Sequence, residues 1–222
     1  MVIRQRAIQA EDKQERHDAI LDAAARLLER SPERIANMAD VADEAGLAKG
    51  TVYLYFPSKE ELLLAVHERN IDGFFRALID RLEQGAPVAI ADVLALTHEH
   101  IVGPPLFLPL AARCFGMMAQ GVPPEAALAF KQRMAERLMR AGAGLERHFR
   151  ELAPGDGIAL LRHSYALILG LWQMIGESGG HCPASQGPGE VPAMFAISYP
   201  ADLDRALVAL WSGTIAQAGG TR

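Results

Sequence analysis

The amino-acid sequence predicts an all-α protein, in which an N-terminal three-helix unit precedes a larger helical bundle. Three observations support this fold class. Apolar residues recur at the three- and four-residue spacing of amphipathic helices, and no stretch after Pro87 alternates as a strand does. Breaks rich in glycine and proline separate the helical stretches. The chain has 222 residues and is 50% hydrophobic, which is enough for a small module and one larger domain.

The first predicted element is a helix from Lys13 to Arg30, whose apolar residues fall on one face. The residues before this helix are polar from Arg4 to Asp12 and show no apolar stripe. We therefore predict that residues 1–12 form a flexible arm, and a solvated tail is its simplest interpretation.

Two short helices around a glycine turn follow between Asn37 and Phe56. Asn37 is a favourable N-cap for the first of them, and Gly46 supplies the left-handed residue that ends it. The second helix begins at Lys49 and ends before Pro57, which disfavours the α conformation in the residue preceding it. A helix of two turns is too short to be stable alone. Its outward side chains are therefore predicted to serve a purpose other than packing.

The run from Ala45 to Leu62 resembles the helix-turn-helix signature of TetR-type transcriptional regulators. The resemblance extends over Ile20 to Val66, which lies within the first third of the chain. It implies a helix-turn-helix DNA-binding domain over residues 13–57 and a ligand-sensing and dimerisation domain over residues 58–222. It further implies a transcriptional regulator, most often a repressor, that binds a palindromic operator as a homodimer and is released by a small, lipophilic effector.

The resemblance assigns eight residues to DNA contacts, most of them on the second short helix. They are Asn37, Lys49, Gly50, Thr51, Tyr53, Leu54, Tyr55 and Lys59. Leu54 differs from the polar base-reading residue of many relatives, so an apolar contact such as a thymine methyl group is predicted there. Ala48 replaces the serine that commonly begins this helix, which removes a cap.

The net charge of the predicted DNA-binding part argues against a uniformly basic surface. Residues 1–70 contain ten Lys and Arg against thirteen Asp and Glu, although phosphate contacts need a positive face. A local positive face would meet this need, and Arg4 and Arg6 would then enter a minor groove as homeodomain arms do. The candidate members of that face are Arg4, Arg6, Lys13, Lys49 and Lys59. The alternative is a helical interaction module of the same fold with weak or lost DNA binding.

A long fourth helix is predicted from Lys59 to about Gln84, because Ser58 and Glu61 form a capping box before a sustained apolar stripe. Further helices are predicted near Val88–Val102, Leu106–Gln120, Glu125–Leu152, Ile158–Ser178 and Ala201–Gln217. Between the last two lies Gly179–Pro200, which is rich in glycine and proline. Loops of this length are typically functional or mobile.

The last two predicted helices carry apolar residues on more than one face, which predicts that a partner covers them. The resemblance implies a four-helix bundle formed between the two subunits of a homodimer. The predicted interface residues are Ile168, Trp172, Ile175, Leu203, Leu207 and Leu210. A fully buried helix within a monomer is the alternative.

The middle helices contain several Met, Phe and Cys side chains, which suit an apolar cavity because thioethers adapt to irregular contents. By analogy with the family, we predict that these side chains and a few polar groups line an effector pocket. The predicted residues are Phe74, His100, Phe107, Cys114, Met118, Met134, Tyr165 and Gln173. Ordinary core packing is the alternative for each of them.

The spacing of the reactive side chains gives little support to catalysis or metal binding. Cys114 falls on a different predicted helix from His98 and His100, and no third group orients them. The two histidines are two residues apart, so they point to different helix faces and are poorly placed to share a metal. We therefore predict no enzymatic activity, no cofactor and no metal.

The sequence also bears on location and partners. No signal peptide or membrane helix is recognisable, and the two cysteines form no disulfide framework. We therefore expect a cytoplasmic protein with no membrane association. Its expected partners are double-stranded DNA, a small-molecule effector and a second copy of itself.

Overall fold

A computed structural model of the protein describes residues 2–31, 37–175 and 198–220. Within these residues the chain is built from helices and contains no strand, which confirms the predicted all-α class. The elements in chain order are α1 (Val2–Arg30), α2 (Met38–Ala45), α3 (Lys49–Tyr55), α4 (Lys59–Glu83), α5 (Ile90–Thr97), a π-helical turn (His98–Val102), α6 (Phe107–Gln120), α7 (Pro124–His148), α8 (Asp156–Ile175) and α9 (Tyr199–Gly220).

The first helix is longer than the sequence predicted. α1 begins at Val2, whereas a flexible arm was expected before Lys13. Residues 2–12 contain neither glycine nor proline, and their Arg, Gln, Glu and Ala residues favour the helical conformation. The missing apolar stripe bears on packing against other helices and does not prevent a helix from forming.

The predicted helix Val88–Val102 is interrupted by the π-helical turn. This turn is closed by a hydrogen bond of 2.8 Å from the backbone N–H of Gly103 to the carbonyl oxygen of His98. Gly103 suits the turn, since a Cβ atom at this residue would lie 2.9 Å from that oxygen. Pro104 follows at once and cannot donate the next backbone hydrogen bond.

The later helices end close to their predicted positions. α7 ends at His148 instead of Leu152, and α9 begins at Tyr199, just before the predicted end of the loop Gly179–Pro200. Most of that loop, together with the predicted helix end at Ser178, lies outside the described residues.

The described chain forms two compact units. The first unit comprises the described residues up to Arg69 together with Pro105–Ala127, so it contains α1 to α3, the first part of α4, and α6. α2 packs against both α1 and α3. The buried side chains of the first unit include Ile20, Leu28, Val41, Val52, Leu62, Val66, Phe107 and Leu110.

Within the first unit, α4 and α6 pack in antiparallel directions. The Sγ atom of Cys114 lies 3.8 Å from the carbonyl oxygen of Leu63, and the ring of Phe107 lies 5.5 Å from the imidazole of His67. Residue numbers thus rise along α4 as they fall along α6. α6 is therefore part of the same compact unit as the helix-turn-helix segment.

The second unit comprises Asn70–Pro104 and the described residues from Leu128 onward. In this unit α9 packs against α8 and also contacts α5. α7 crosses the start of α8 at a very short distance, because a Cβ atom at Gly142 would lie 2.9 Å from the backbone nitrogen of Ile158. A Cβ atom at Gly157 would overlap the carbonyl oxygen of Gly142. Only glycine fits at these two positions of the crossing.

These units differ from the predicted division after residue 57. The first part of α4 and α6 cluster with α1 to α3, and the remaining helices cluster with one another. Sequence periodicity identifies α6 as a helix but carries no information about which unit contains it.

Among the described residues, no single helix is long and apolar enough to cross a membrane. One bent pair of helices, Ile90–Val102 and Phe107–Met118, reaches the required length and apolar character when the two are counted together.

Candidate nucleic-acid interface

Asn37 fixes the start of α2. Its Oδ1 atom accepts hydrogen bonds from the backbone N–H groups of Ala39 and Asp40, both at 2.9 Å. This is the predicted N-cap, and it occupies the carbonyl oxygen of the Asn37 side chain. The predicted contact of Asn37 with DNA would therefore have to come from its amide NH₂ group.

Gly46 ends α2 in the left-handed conformation, with φ of 67°. The backbone N–H of Gly46 donates a hydrogen bond to the carbonyl oxygen of Asp43. The backbone N–H of Leu47 donates to the carbonyl oxygen of Ala42. The chain can then turn directly into α3, as predicted for a glycine at this position.

Glu44 connects α2 to α1 through two arginines. Its carboxylate accepts hydrogen bonds from Arg30 at 2.5 Å and from Arg26 at 2.9 Å. These bonds, with that from Arg30 the stronger, lower the pKa of Glu44 to about 2. The ion pairs therefore remain charged at neutral pH, and they weaken only as the pH falls below about 4.5 towards 2.

α3 is anchored on one side and open on the other. Val52 and Phe56 are buried at 0% and 4% exposure. Tyr53 and Leu54 face solvent instead, at 42% and 84% exposure. This short helix is therefore held by two apolar contacts, and its remaining side chains lie on the surface.

A cation lies over an aromatic ring on the exposed side of α3. The Nζ atom of Lys49 is 5.9 Å from the centroid of the Tyr53 ring, which is within the range of a cation–π contact. Gly50 lies between them in sequence and is exposed, and a Cβ atom built on it would point into open space. No side-chain hydrogen bond caps α3 at Ala48, as predicted from the missing serine.

Three of the predicted DNA contacts, Thr51, Tyr55 and Lys59, are less exposed. Tyr55 and Thr51 are half-buried, and the Tyr55 ring lies 6.5 Å from the imidazole of His17 on α1. Lys59 is half-buried in the first turn of α4, where Glu60 and Glu61 also lie. The structure thus exposes Lys49, Gly50, Tyr53 and Leu54 on α3, and Asn37 at the start of α2, whereas Thr51, Tyr55 and Lys59 are half-buried.

Ser58 and Glu61 begin α4 as predicted. The Oγ atom of Ser58 accepts from the backbone N–H of Glu61 at 3.1 Å and donates to its carboxylate at 3.0 Å. α4 therefore starts at Lys59, and only three residues separate it from the end of α3 at Tyr55.

The predicted dimer residues are divided between the inside and the surface of the second unit. Ile168, Leu203 and Leu207 are buried at 2%, 0% and 2% within the single chain, so little of these side chains is left for contact with a second copy, and their place in the interface stays a prediction. Trp172 and Leu210 are half-buried, and the side chain of Ile175 lies outside the described residues. Both α8 and α9 carry apolar residues on several faces, so periodicity alone could not identify the inward one.

Inward-facing contacts explain this burial. The Nε1 atom of Trp211 donates to Ser164 Oγ at 2.9 Å, and the hydroxyl of Tyr199 donates to the carbonyl oxygen of Ile168 at 3.0 Å. The large apolar side chains that α8 and α9 expose, among the described residues, are Met174 and Val208, at 64% and 43%.

The predicted effector-binding residues fall into both units. Phe107, Cys114 and Met118 belong to the first unit, where the first two are buried. The others belong to the second: Phe74 is buried, Gln173 is exposed, and His100, Met134 and Tyr165 are half-buried. The single chain therefore does not enclose Gln173. Burial raises the pKa of Cys114 to about 12, so this thiol is not a nucleophilic thiolate at neutral pH.

Sequence analysis missed His67, a buried polar group of the first unit. The residue is 3% exposed, and its Nδ1 atom is the buried side-chain nitrogen or oxygen without a hydrogen-bond partner in the described part of the chain. Burial lowers the pKa of His67 to about 4, so the ring is neutral at pH 7. Its position one turn from both Leu63 and Ile71, within the apolar stripe of α4, is the sequence signal that predicts burial.

The capped helix α2, the glycine turn and the outward-facing helix α3 define a helix-turn-helix DNA-binding regulator. The family model described as "Bacterial regulatory proteins, tetR family" matches residues 20–66, and that described as "Tetracyclin repressor-like, C-terminal domain" matches residues 68–218. The second match alone covers more than half of the chain. The protein belongs to the TetR family of transcriptional regulators, which are not enzymes, and both the predicted family and the prediction of no enzymatic activity are confirmed.

Curated relatives match a short part of the chain. The uncharacterised HTH-type transcriptional regulator YfiR of Bacillus subtilis is 38% identical over 68 residues, or 31% of this chain and 33% of that protein. The Bacillus subtilis fatty acid metabolism regulator protein is 31% identical over 72 residues, or 32% and 35%. EthR of Mycobacterium tuberculosis is 41% identical over 58 residues, or 26% and 27%. The matches thus span about a third of these relatives or less.

Solved structures share the fold over most of their length. A transcriptional regulator from Saccharomonospora viridis in complex with choline has a TM-score of 0.54 at 19% identity, covering 88% of this chain and 96% of that chain. A TetR-family regulator from Mesorhizobium loti has a TM-score of 0.52 at 17% identity, covering 89% and 96%. At these identities the likeness shows the fold alone.

Proposed function

We propose that this regulator is a repressor that binds a palindromic operator as a homodimer and leaves it when a small, lipophilic effector binds. The observation that carries the proposal is the exposed side of α3, where Lys49, Tyr53 and Leu54 face solvent while Val52 and Phe56 hold the helix in place. Exposed aromatic and apolar groups beside a cation suit the phosphates and base edges of a duplex.

In the proposed complex, the two α3 helices of a dimer enter successive major grooves about 34 to 36 Å apart. Lys49 pairs with a phosphate, and Tyr53 contacts the adjacent sugar and phosphate groups. Thr51, Tyr55 and Lys59 lie at the margin of the interface and contact the backbone. Arg4 and Arg6, whose side chains lie outside the described residues, are proposed to add positive charge that offsets the excess of acidic residues in this part of the sequence.

The proposed dimer uses the outward side of α8 and α9 in place of the stripe predicted from sequence. Met174 and Val208 are exposed there, and Leu171, Trp172 and Leu210 are half-buried. Burying such side chains against a second copy removes apolar surface from water. A palindromic operator requires this twofold arrangement.

The dimer is tested by substituting both Met174 and Val208 with Glu. Sedimentation equilibrium at micromolar concentration should give twice the chain mass for the wild type and the mass of one chain for the double variant. The matched control is Arg162→Glu, because this arginine is exposed on α8 about 120° around the helix from Met174. A wild-type protein that sediments as a single chain would rule out the proposed dimer.

The proposed effector site includes the packing between α4 and α6 in the first unit. Phe107 and Cys114 supply apolar walls, and the unpaired Nδ1 atom of His67 supplies a polar group that an effector could satisfy. An effector with a higher affinity for the unbound conformation than for the DNA-bound one would release the operator. Thermal shift assays with fatty acids, other lipophilic compounds and choline test the effector class, and release of bound DNA by a stabilising compound completes the test.

DNA binding is tested by a genomic binding selection with the purified protein, followed by salt-titrated gel shifts on the selected operator. Tyr53→Ala should weaken binding about tenfold or more, because an aromatic contact at the interface is lost. Tyr53→Phe is the matched control, since it retains the ring over which Lys49 lies. If the selection yields no operator at low salt, the alternative of an interaction module without DNA binding is favoured.

A further inference from the structure

We propose that Leu54 reads the 5-methyl group of a thymine in each half of the operator. The inference rests on the proposed function, because it assumes that α3 enters the major groove. It adds the chemical group in the DNA that this chain selects.

Leu54 faces directly away from the body of the first unit. It is two residues from Val52 and two from Phe56, the two buried anchors of α3. Two residues correspond to about 200° around a helix, so the side chain of Leu54 points opposite to both anchors. At 84%, its exposure exceeds that of every other exposed large apolar side chain in the described residues.

The surface around Leu54 leaves room for a base edge. Gly50 lies one helical turn before Leu54 on the same side of α3, and it adds no side chain to cover it. Lys49 and Tyr53 form their cation–π pair on one side of this position. The apolar side chain of Leu54 therefore projects beside the positive charge of Lys49. This arrangement would let Leu54 reach a base edge in the major groove while Lys49 meets a neighbouring phosphate.

Leucine has no hydrogen-bond donor or acceptor, so it cannot pair with the edge of guanine, cytosine or adenine. The apolar group that bases present in the major groove is the C5-methyl of thymine. A leucine against this methyl group gains from apolar burial, whereas against a polar edge it would leave donors or acceptors unpaired. The chemistry of this position therefore favours thymine over the other bases.

The experiment uses the operator from the binding selection, with each thymine replaced in turn by deoxyuridine, which differs only by the missing methyl. Wild-type protein should lose about fourfold in affinity at one symmetry-related position per half-site, the loss expected for one buried methyl group. Leu54→Ala should weaken binding to the unmodified operator and lose this sensitivity to deoxyuridine. Tyr53→Ala, the control on the same helix, should bind more weakly yet keep the full deoxyuridine penalty.

The outcomes separate the two proposals. If the protein selects no operator, the proposed function fails and the inference fails with it. If it binds an operator but no deoxyuridine substitution weakens the wild type, or Leu54→Ala keeps the same penalty, the inference alone is overturned. Leu54→Ala alters only an exposed side chain, so thermal melting should match the wild type and confirm that any loss of binding is local.

Discussion

The two units differ in how they satisfy their buried polar atoms. In the second unit, the Oγ1 atom of Thr97 donates to the carbonyl oxygen of Val93 at 2.8 Å, and the buried Trp211 donates its indole N–H to Ser164. In the first unit, the Nδ1 atom of His67 has no partner among the described residues. Pairing makes a buried polar group compatible with a dry core, whereas an unpaired one reduces stability.

The two units therefore differ in whether a buried side-chain atom is left without a hydrogen-bond partner. Among the residues of the second unit that the structure describes, every buried side-chain nitrogen or oxygen has a hydrogen-bond partner. The first unit, which carries α3, contains a polar atom that an added proton or ligand would affect. Three predictions test this comparison, in order of decreasing effect.

Replacing Trp211 with Ala should give the largest loss. The side chain is 1% exposed, donates to Ser164 and packs edge-on against Phe149 with ring centroids 6.0 Å apart. Truncating a buried large aromatic residue costs about 3–5 kcal/mol in the free energy of unfolding. Urea denaturation followed by circular dichroism measures the loss. The exposed neighbour Ser212→Ala is the control, and an equal effect of both would contradict the assigned core.

Lowering the pH should destabilise the protein through His67 by a smaller amount. Its pKa falls from 6.5 to about 4 on folding, so between these values the unfolded chain binds a proton that the native chain does not. This contribution to stability is complete above pH 6.5 and is lost as the pH falls towards 4, by up to about 3 kcal/mol at 1.36 kcal/mol per pKa unit.

The measurement compares wild type with His67→Leu, which has a similar volume and no titratable group. The stability of the variant relative to wild type should rise as the pH falls from 7.5 to 4. His163→Leu, at an exposed histidine, controls for histidine removal in general. A constant difference between wild type and His67→Leu over this range would show that the ring is not buried and neutral.

Removing the cap of α2 should give the smallest of the three effects. Asn37→Ala loses two backbone hydrogen bonds and should lower the free energy of unfolding by about 1 kcal/mol. Asn37→Ser retains an oxygen acceptor and should restore most of the stability. If Asn37→Ala instead abolishes operator binding with no change in melting, its DNA contact outweighs its role as a cap.

Local signals were sufficient to predict the helix-turn-helix segment. Asn37, Gly46 and Ser58 each act within a few residues of their own position, and all three form the predicted caps. The exposure of Tyr53 and Leu54 could also be predicted from the shortness of α3. A helix of two turns that buries Val52 and Phe56 on one side leaves its other side chains in solvent.

Tertiary arrangement accounts for the features that the sequence did not reveal. Leu203 and Leu207 have the pattern of an interface, yet α8 and α9 bury such residues within one chain. The π-helical turn depends on the hydrogen bond from the N–H of Gly103 to the carbonyl oxygen of His98. His67 is unpaired because apolar groups such as Phe107 of α6 pack against its ring. None of these outcomes is encoded in spacing along a single helix.

The glycine crossing between α7 and α8 limits how the second unit can deform. Gly142 and Gly157 meet through main-chain atoms, which have no alternative rotamers with which to absorb a displacement. Any rearrangement of these two helices must therefore pivot around this point, so the segments farthest from it, including the exposed end of α8 at Met174, would travel the greatest distance.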